Sequence, residues 1–330
     1  MKIGENSTPV RFGVLGTGRI TRRLTANLQS TSGASVIAVA SREKSRAQFA
    51  AQTHGVAHAI EGYQELIRRD DVDAVYVALP PSLHHEVCLA AAEAGKGILC
   101  EKPLALNANQ AKEIDSACQR ANVRWLDATG WLHHERTRRF AEIIQTGVLG
   151  RVGHVSASVS FFEPFQTDEH RLSRSLGGGC ILDLGWYAVG LTLWVRQCLG
   201  EAAESPSIAI GAQTVRRDEV PLRLSASLQF NDGITATLSC GYDTATRKWF
   251  EVAGSDQSLI CDDFTRPWQN RPARFWLHDR TGSVESESFE DEQEIRMIET
   301  LIGDSDLRPL NQLAIQTHEV LDQIENQLHE

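Results

Sequence analysis

Gly13-Val14-Leu15-Gly16-Thr17-Gly18-Arg19-Ile20-Thr21 is an apolar run that enters a glycine turn and leaves it as a helix. Gly16 permits the tight turn, Gly18 lets backbone approach a ligand, and the helix start presents unpaired N–H groups at the positive end of its dipole. That arrangement suits the pyrophosphate of a dinucleotide. Thr21 stands where the third glycine of the fingerprint is expected, so the turn taken alone is also compatible with a plain strand-to-helix connection. A second apolar run that ends about twenty residues on favours dinucleotide binding. The predicted contacts are Gly16, Thr17, Gly18, Arg19 and Ile20.

Outward from this turn, expected strands at 11–15, 36–40, 74–77, 97–100 and 124–127 alternate with expected helices at 20–29, 46–53, 63–69, 84–94 and 108–120. Alternation of this kind is the sequence form of βαβ units around a parallel sheet, and strands covered by helices on both faces are apolar throughout. An α/β Rossmann domain over 1–127 follows. Beyond it the period changes. Leu222, Leu224, Ala226, Leu228 and Phe230 alternate with polar residues, and Ile234, Ala236, Leu238 and Cys240 repeat the pattern after Asn231-Asp232-Gly233. This predicts an antiparallel hairpin with one free face. Further strands are expected at 155–161, 208–214, 249–253 and 275–278. The second half, 128–330, therefore reads as an α+β domain with a large, mainly antiparallel, open-faced sheet for substrate binding and oligomerisation. Two amphipathic helices close the chain, one with Ile295, Ile298 and Ile302, the other with Leu313, Val320, Leu321, Ile324 and Leu328. They are expected to return toward the Rossmann domain.

A length of 330 residues fits two such cores, and 42% hydrophobic with 23% charged residues is ordinary for folded domains. A formal charge of -10 argues against nucleic acid or an anionic membrane as partner, because either favours a basic face. The polar first ten residues, and the expectation that no stretch approaches about eighteen apolar residues, predict a cytoplasmic protein without a membrane span. Seven scattered cysteines with no Cys-x-x-Cys pair predict reduced, mostly buried thiols. His84-His85 and His133-His134 lack thiolate or carboxylate partners at ligand spacing, so no metal is predicted.

The second expected strand runs out in Val39-Ala40-Ser41-Arg42, with no acid where one would bond the adenosine ribose. Ser41 and Arg42 can bind a 2'-phosphate, with Lys44 and Arg46 adding positive potential. This favours NADP over NAD. The alternative is a solvated basic helix start.

After the fourth expected strand, Cys100-Glu101-Lys102-Pro103 places Lys102 at a carboxyl-end edge of the sheet, where open α/β folds bind ligands. Farther on, Gly177-Gly178-Gly179-Cys180-Ile181-Leu182-Asp183-Leu184-Gly185-Trp186-Tyr187 puts Asp183 and Tyr187 four positions apart on one helical face behind a glycine turn. Singly, each has a structural alternative: a loop for the glycines, a core aromatic for Tyr187, a helix ion pair for Asp183.

Taken together with Leu79-Pro80-Pro81-Ser82-Leu83-His84, these motifs resemble, in order and across nearly the whole chain, the glucose-fructose oxidoreductase, inositol dehydrogenase and rhizopine catabolism family, Gfo/Idh/MocA. The resemblance implies that Leu79, Pro80, Pro81, His84, Glu101, Lys102 and Trp131 line the cofactor, and that Lys102, His133, Arg171, Asp183 and Tyr187 meet substrate. Tyr187 stands where inositol dehydrogenases carry histidine, as in the branch of glucose-fructose oxidoreductase, dimeric dihydrodiol dehydrogenase and NADP-dependent xylose dehydrogenase. Trp131-Leu132-His133-His134 departs from the Trp-x-Arg pattern of that branch and leaves the substrate open. Arg171 has a solvent-facing loop role as its alternative.

The expected reaction is hydride transfer between NADP and a CH–OH group of a sugar, cyclitol or vicinal diol. Tyr187 takes the hydroxyl proton, Lys102 favours its phenolate, and Asp183 orients Lys102 and the substrate; Lys102 as the base is the competitor. The alternatives are a non-catalytic NADP-binding regulator and a sugar–sugar oxidoreductase that retains its cofactor. The uncovered sheet face predicts a homodimer or homotetramer.

Overall fold

Val10–Leu15 (β1) is apolar and buried except at Arg11, which pairs with Asp73, as suits a strand covered on both faces. It is the centre of the first of two compact units in a computed structural model that describes residues 8–162, 165, 169–201, 206–209, 215–217 and 220–328. This unit comprises the described part of Met1–Thr129 together with Glu292–Ala314. Its other strands are β2 (Ala34–Ser41), β3 (His58–Glu61), β4 (Ala74–Val77), β5 (Gly97–Cys100) and β6 (Trp125–Asp127). All six run parallel in the order β3-β2-β1-β4-β5-β6. The chain winds outward in both directions from β1 and β4, so the crevice at their carboxyl ends is the switch point where such sheets bind ligands.

Helices Arg19–Ser30, Lys44–His54, Tyr63–Ile67, His84–Glu93 and Ala108–Ala121 connect the strands, close to the expected bounds. The core gathers Phe12, Val14, Leu24, Leu28, Tyr76 and Leu99 with Met297, Ile298, Leu301 and Leu307 from the far end of the chain. Each such side chain contributes about 1.5–3 kcal/mol on burial. Arg124 secures this return by donating to the carbonyls of Leu301 at 2.8 Å and of Thr300 and Ser305 at 3.0 Å.

The second unit comprises the described part of Gly130–Asp291 and Ile315–Glu330. Its strands are β7 (Val152–Phe162), β8 (Ser207–Ala209), β9 (Val215–Arg217), β10 (Val220–Gln229), β11 (Thr235–Gly241), β12 (Asp243–Gly254), β13 (Gln257–Cys261), β14 (Ala273–Asp279) and β15 (Val284–Phe289). Among the described residues the sheet order is β15-β14-β13-β12-β7-β11-β10-β8, with β9 also on β10. All pairs are antiparallel except β7 with β11. The expected hairpin is β10–β11, in register from Arg223 opposite Gly241 to Gln229 opposite Thr235. Of the strand expected at 208–214, residues 210–214 lie outside the described residues.

One face of this sheet buries Val155, Ala157, Leu224, Leu228, Ala236, Phe250 and Val252. The helix Trp186–Cys198 packs against β7 and β11. The other face carries a groove lined by Ser156, Ser158, Ser225, Ser227, Thr237 and Ser239.

One segment bears on the expectation that no membrane span is present. Arg174–Cys198 is 25 residues long and apolar enough by length and composition to cross a membrane, and 67% of its most apolar window is buried within the protein. Its apolarity serves the core of the second unit, where Trp186, Ala188, Val189, Leu191 and Val195 are all buried.

Candidate functional site

The glycine turn is fixed by sterics. Gly16 has φ +112, and a Cβ there would stand 2.3 Å from the carbonyl oxygen of Ala78, so both conformation and close approach demand glycine. A Cβ at Gly18 would meet nothing within 4 Å. Gly18 is the N-cap of helix Arg19–Ser30, which has no side-chain cap and no acid in its first turn. The helix start is therefore open to an anion, and the dinucleotide pyrophosphate fits it. Thr21, at the position of the third glycine, is 2% exposed and its hydroxyl has no hydrogen-bond partner among the described residues. A groove of about 330 Å³ runs from Thr17 and Gly18 past Thr21 and Arg22 to Arg46 and Phe49.

At the end of β2, Ser41 is buried and its hydroxyl lies 3.4 Å from the backbone N–H of Glu43. Arg42 is exposed and hydrogen-bonds the Tyr63 phenol. Arg46 pairs with Glu43 at 3.4 Å, with both side chains about three-fifths exposed, so the pair is weak and a phosphate can compete for Arg46. Arg42, Lys44 and Arg46 stand against Glu43 and Glu61, the residue opposite Ser41, and leave this corner with a small positive excess, which fits the 2'-phosphate of NADP.

At the ends of β4 and β5, Leu79-Pro80-Pro81 leads into a short 3-10 turn, Pro81–Leu83, and Glu101 and Lys102 follow Cys100. The Glu101 carboxylate accepts from the Tyr76 hydroxyl at 2.6 Å. Burial raises the Glu101 pKa, opposed by that hydrogen bond and by the charges of Lys102 and Arg23. Asp127, at the end of β6, is 2% exposed and accepts from the Thr129 hydroxyl. Burial lifts its carboxyl from 3.8 to about 6, against the Thr129 bond and with help from the Glu101 charge.

The second unit assembles Asp183 with Arg171. The Arg171 guanidinium donates to Asp183 Oδ2 at 2.7 Å and to Glu169 Oε1 at 3.2 Å. This excludes a solvent-facing role for Arg171. Gly178 makes the approach possible, because a Cβ there would stand 2.6 Å from the carbonyl oxygens of both His170 and Arg171. Asp183 lies in a π-helical turn, Ile181–Gly185, that leads directly into the helix carrying half-buried Tyr187. Tyr242, absent from the sequence reading, donates to the same Asp183 Oδ2 at 2.9 Å and lies 3.0 Å from the carbonyl of Gly179. Burial and then the Asp183 charge push the Tyr242 phenol well above its ordinary value, so it remains a donor.

Two residues expected to line the cofactor are buried. His84 is fully buried, with Nδ1 2.9 Å from the Pro103 carbonyl and Nε2 2.8 Å from the Leu79 carbonyl. Trp131 is fully buried between Trp194 and Phe264, edge-on to each with ring centroids 5.5 Å apart. Both lie on the inward side of their elements, and the buried Trp131 indole N–H has no hydrogen-bond partner among the described residues. His133 shares the Gly130–His133 turn with Trp131, and burial pushes its imidazole down to about 4, so it is neutral at neutral pH. Lys102 thus lies in the first unit, and Arg171, Asp183, Tyr187 and His133 in the second.

A model of the oxidoreductase family with an NAD-binding Rossmann fold, Gfo/Idh/MocA, matches residues 10–127, and a model of the Gfo/Idh/MocA C-terminal domain matches 137–260. A D-xylose 1-dehydrogenase (NADP(+)) of Haloferax volcanii is 33% identical over 249 residues, 75% of this chain and 74% of that protein. A dTDP-3,4-didehydro-2,6-dideoxy-alpha-D-glucose 3-reductase of Actinomadura kijaniata is 33% identical over 275 residues, 82% and 77% of the two chains. The solved structure of a 3-ketoreductase from Actinomadura kijaniata with NADP and TDP-benzene aligns with TM-score 0.85 at 27% identity, covering 96% of each chain. Further structures of that ketoreductase carry a tyrosine-to-phenylalanine change or a lysine changed to alanine or glutamate.

The Asp127 carboxyl yields a prediction. Its folded pKa is raised, so its stabilising contribution is present below 3.8 and is lost as pH rises through about 6. Asp127→Asn keeps an acceptor for Thr129 and removes that loss. Its stability relative to the parent should improve between pH 4 and pH 8 by on the order of 3 kcal/mol, at ~1.4 kcal/mol per unit. Urea unfolding at the two pH values measures this, and a pH-independent difference contradicts it.

Proposed function

Because the chain belongs to the Gfo/Idh/MocA oxidoreductase family, we propose that it moves a hydride between NADP and a CH–OH carbon of a sugar, cyclitol or vicinal diol, with Lys102, Asp183 and Tyr187 handling the proton. The observation that carries this reading is the uncapped glycine turn of β1 at the same carboxyl edge of one sheet as the end of β5, two strands away, after which Lys102 follows, with a positive corner at the end of β2. NADP, when bound, supplies the hydride acceptor or donor at its nicotinamide. Gly16, Thr17, Gly18, Arg19 and Ile20 hold its pyrophosphate, Ser41, Arg42 and Arg46 its 2'-phosphate, and Leu79, Pro80, Pro81, Glu101 and Lys102 its nicotinamide half.

Tyr187 exchanges the substrate hydroxyl proton at its phenol oxygen. The Lys102 ammonium favours the phenolate by charge. Asp183, held as an acceptor by Arg171 and Tyr242, fixes the substrate hydroxyl. The relatives named as acting on xylose and on a dTDP-sugar support a sugar substrate. The lysine and tyrosine changes made in the solved ketoreductase support attention to one residue of each kind. A cytoplasmic location is supported by cysteines that are all free thiols, and self-association through the serine-rich sheet face by the groove that face carries among the described residues.

Arg42→Ala should weaken NADP binding by about 1.5–3 kcal/mol, the worth of a charged hydrogen bond, and leave NAD binding nearly unchanged. Titration of both cofactors measures this, and a parent protein that prefers NAD ends the argument.

Tyr187→Phe should keep fold and cofactor affinity while turnover falls by about a hundredfold to ten-thousandfold. Lys102→Ala should cost at least as much. With Tyr187 as base, the rise of rate toward basic pH disappears in Tyr187→Phe; with Lys102 as base, it survives at reduced amplitude. Wild-type turnover by Tyr187→Phe on a confirmed substrate would make Tyr187 a packing residue. Association is checked by light scattering, where a monomer at high micromolar concentration contradicts it.

A further inference from the structure

A lysine side chain has four rotatable bonds, so an ammonium is delivered to one place only if the backbone beneath it is held still. β5 cannot do this for Lys102, because the strand ends at Cys100. The residues on either side of Lys102 are instead held by one other stretch of chain. The backbone N–H of Glu101 donates to the Val77 carbonyl at 2.9 Å. The Glu101 carboxylate takes the Tyr76 hydroxyl at 2.6 Å. On the far side, the Pro103 carbonyl lies 2.9 Å from His84 Nδ1.

His84 is itself tied to its own approach loop, since Nε2 lies 2.8 Å from the Leu79 carbonyl. That loop is closed by the Leu83 N–H, which donates to Pro80 at 2.9 Å. Tyr76, Val77, Leu79 and His84 all belong to β4 and its exit, and Tyr76 and His84 are fully buried. A buried phenol and a buried imidazole are placed where apolar side chains would pack without the cost of burying polar groups. Both polar tips are used on the residues that flank Lys102.

Resting on the reading that Lys102 serves hydride transfer, we propose that Tyr76 and His84 are positioning residues for Lys102, clamping the chain before and after it so that its ammonium occupies one place. Neither touches the reacting atoms. Both act through Lys102, and this separates the proposal from a packing role: a core residue costs stability wherever it sits, whereas a clamp on Lys102 changes the behaviour of that lysine and loses its effect on turnover when the lysine is absent.

The test uses the full chain with Tyr76→Phe, which removes one oxygen, and His84→Gln and His84→Leu, each checked for folding by circular dichroism. Lysines are labelled with trace acetic anhydride and read by peptide mass spectrometry. Lys96 is the internal reference, because its ammonium is held by the carbonyls of Arg69 and Val72 at 2.8 and 2.9 Å. The expected result is a change of about threefold or more in Lys102 labelling relative to Lys96 in Tyr76→Phe and His84→Leu, with a smaller change in His84→Gln, which keeps a donor. Turnover should fall about tenfold or more in the parent background and by less than about twofold in a Lys102→Ala background, the non-additivity expected of residues acting as one unit. Folded Tyr76→Phe protein with parental Lys102 labelling overturns the proposal, as does an equal loss of turnover in both backgrounds. The labelling needs no substrate, so altered Lys102 labelling in a protein inactive on every sugar and diol upholds the clamp while the proposed reaction fails.

Discussion

A Cβ at residue 16 would collide with the Ala78 carbonyl, and this closeness of β1's exit to β4's exit organises the first unit. Because Gly16 lets the two carboxyl ends converge, the anion-binding helix start and the Leu79-Pro80-Pro81 loop leave the sheet at the same edge. Tyr76 and His84 then reach from β4 to the residues beside Lys102. A larger residue at position 16 would have to push β4's exit outward and would disturb the cofactor turn and the lysine clamp together.

Three carboxyl groups, one buried and two half-buried, show how surroundings differ around one functional group. Asp127 has a single hydroxyl donor and is lifted to about 6, near the point where it holds its proton. Glu101 is also raised by burial, but a phenol and two nearby cations oppose the shift. Asp183 faces a guanidinium and a phenol, both donors, which hold it as an acceptor. Asp183 and Glu101 therefore each accept from named donors, and Asp127 is the group lifted to about 6.

Much of the fold was legible because each legible element obeys a local rule. The runs at 74–77 and 97–100 coincide with β4 and β5, since helix-covered strands are uninterrupted apolar runs. β3 escaped because it has four residues with both ends exposed, and β15 because Val-Glu-Ser-Glu-Ser-Phe has no buried alternation to read. In the site, Gly16 and Gly178 were readable as backbone requirements. Tyr76 and Tyr242 were not, because their partners lie 25 and 59 positions away and only the folded chain brings them together. The burial of His84 was legible, because His84, Val87, Cys88 and Ala91 fall on one helical stripe, and all four are buried.

Two tyrosines accompany Asp183 in the second unit, and burial distinguishes them. Tyr242 is 3% exposed, its phenol is held neutral by burial and by Asp183, and its hydrogen is committed to Asp183 and the Gly179 carbonyl. A group in that state can orient a carboxylate but cannot take a proton from a substrate. Tyr187 is half-buried on the helix that follows the π-helical turn of Asp183, an exposure compatible with the proton exchange proposed for it. The π-helical turn widens the helix where Asp183 lies, and Asp183 must meet Arg171 and Tyr242 in the same few ångströms. The irregular helix and the glycines before it are thus two consequences of one demand, that a carboxylate be surrounded by donors without displacing the tyrosine beside it.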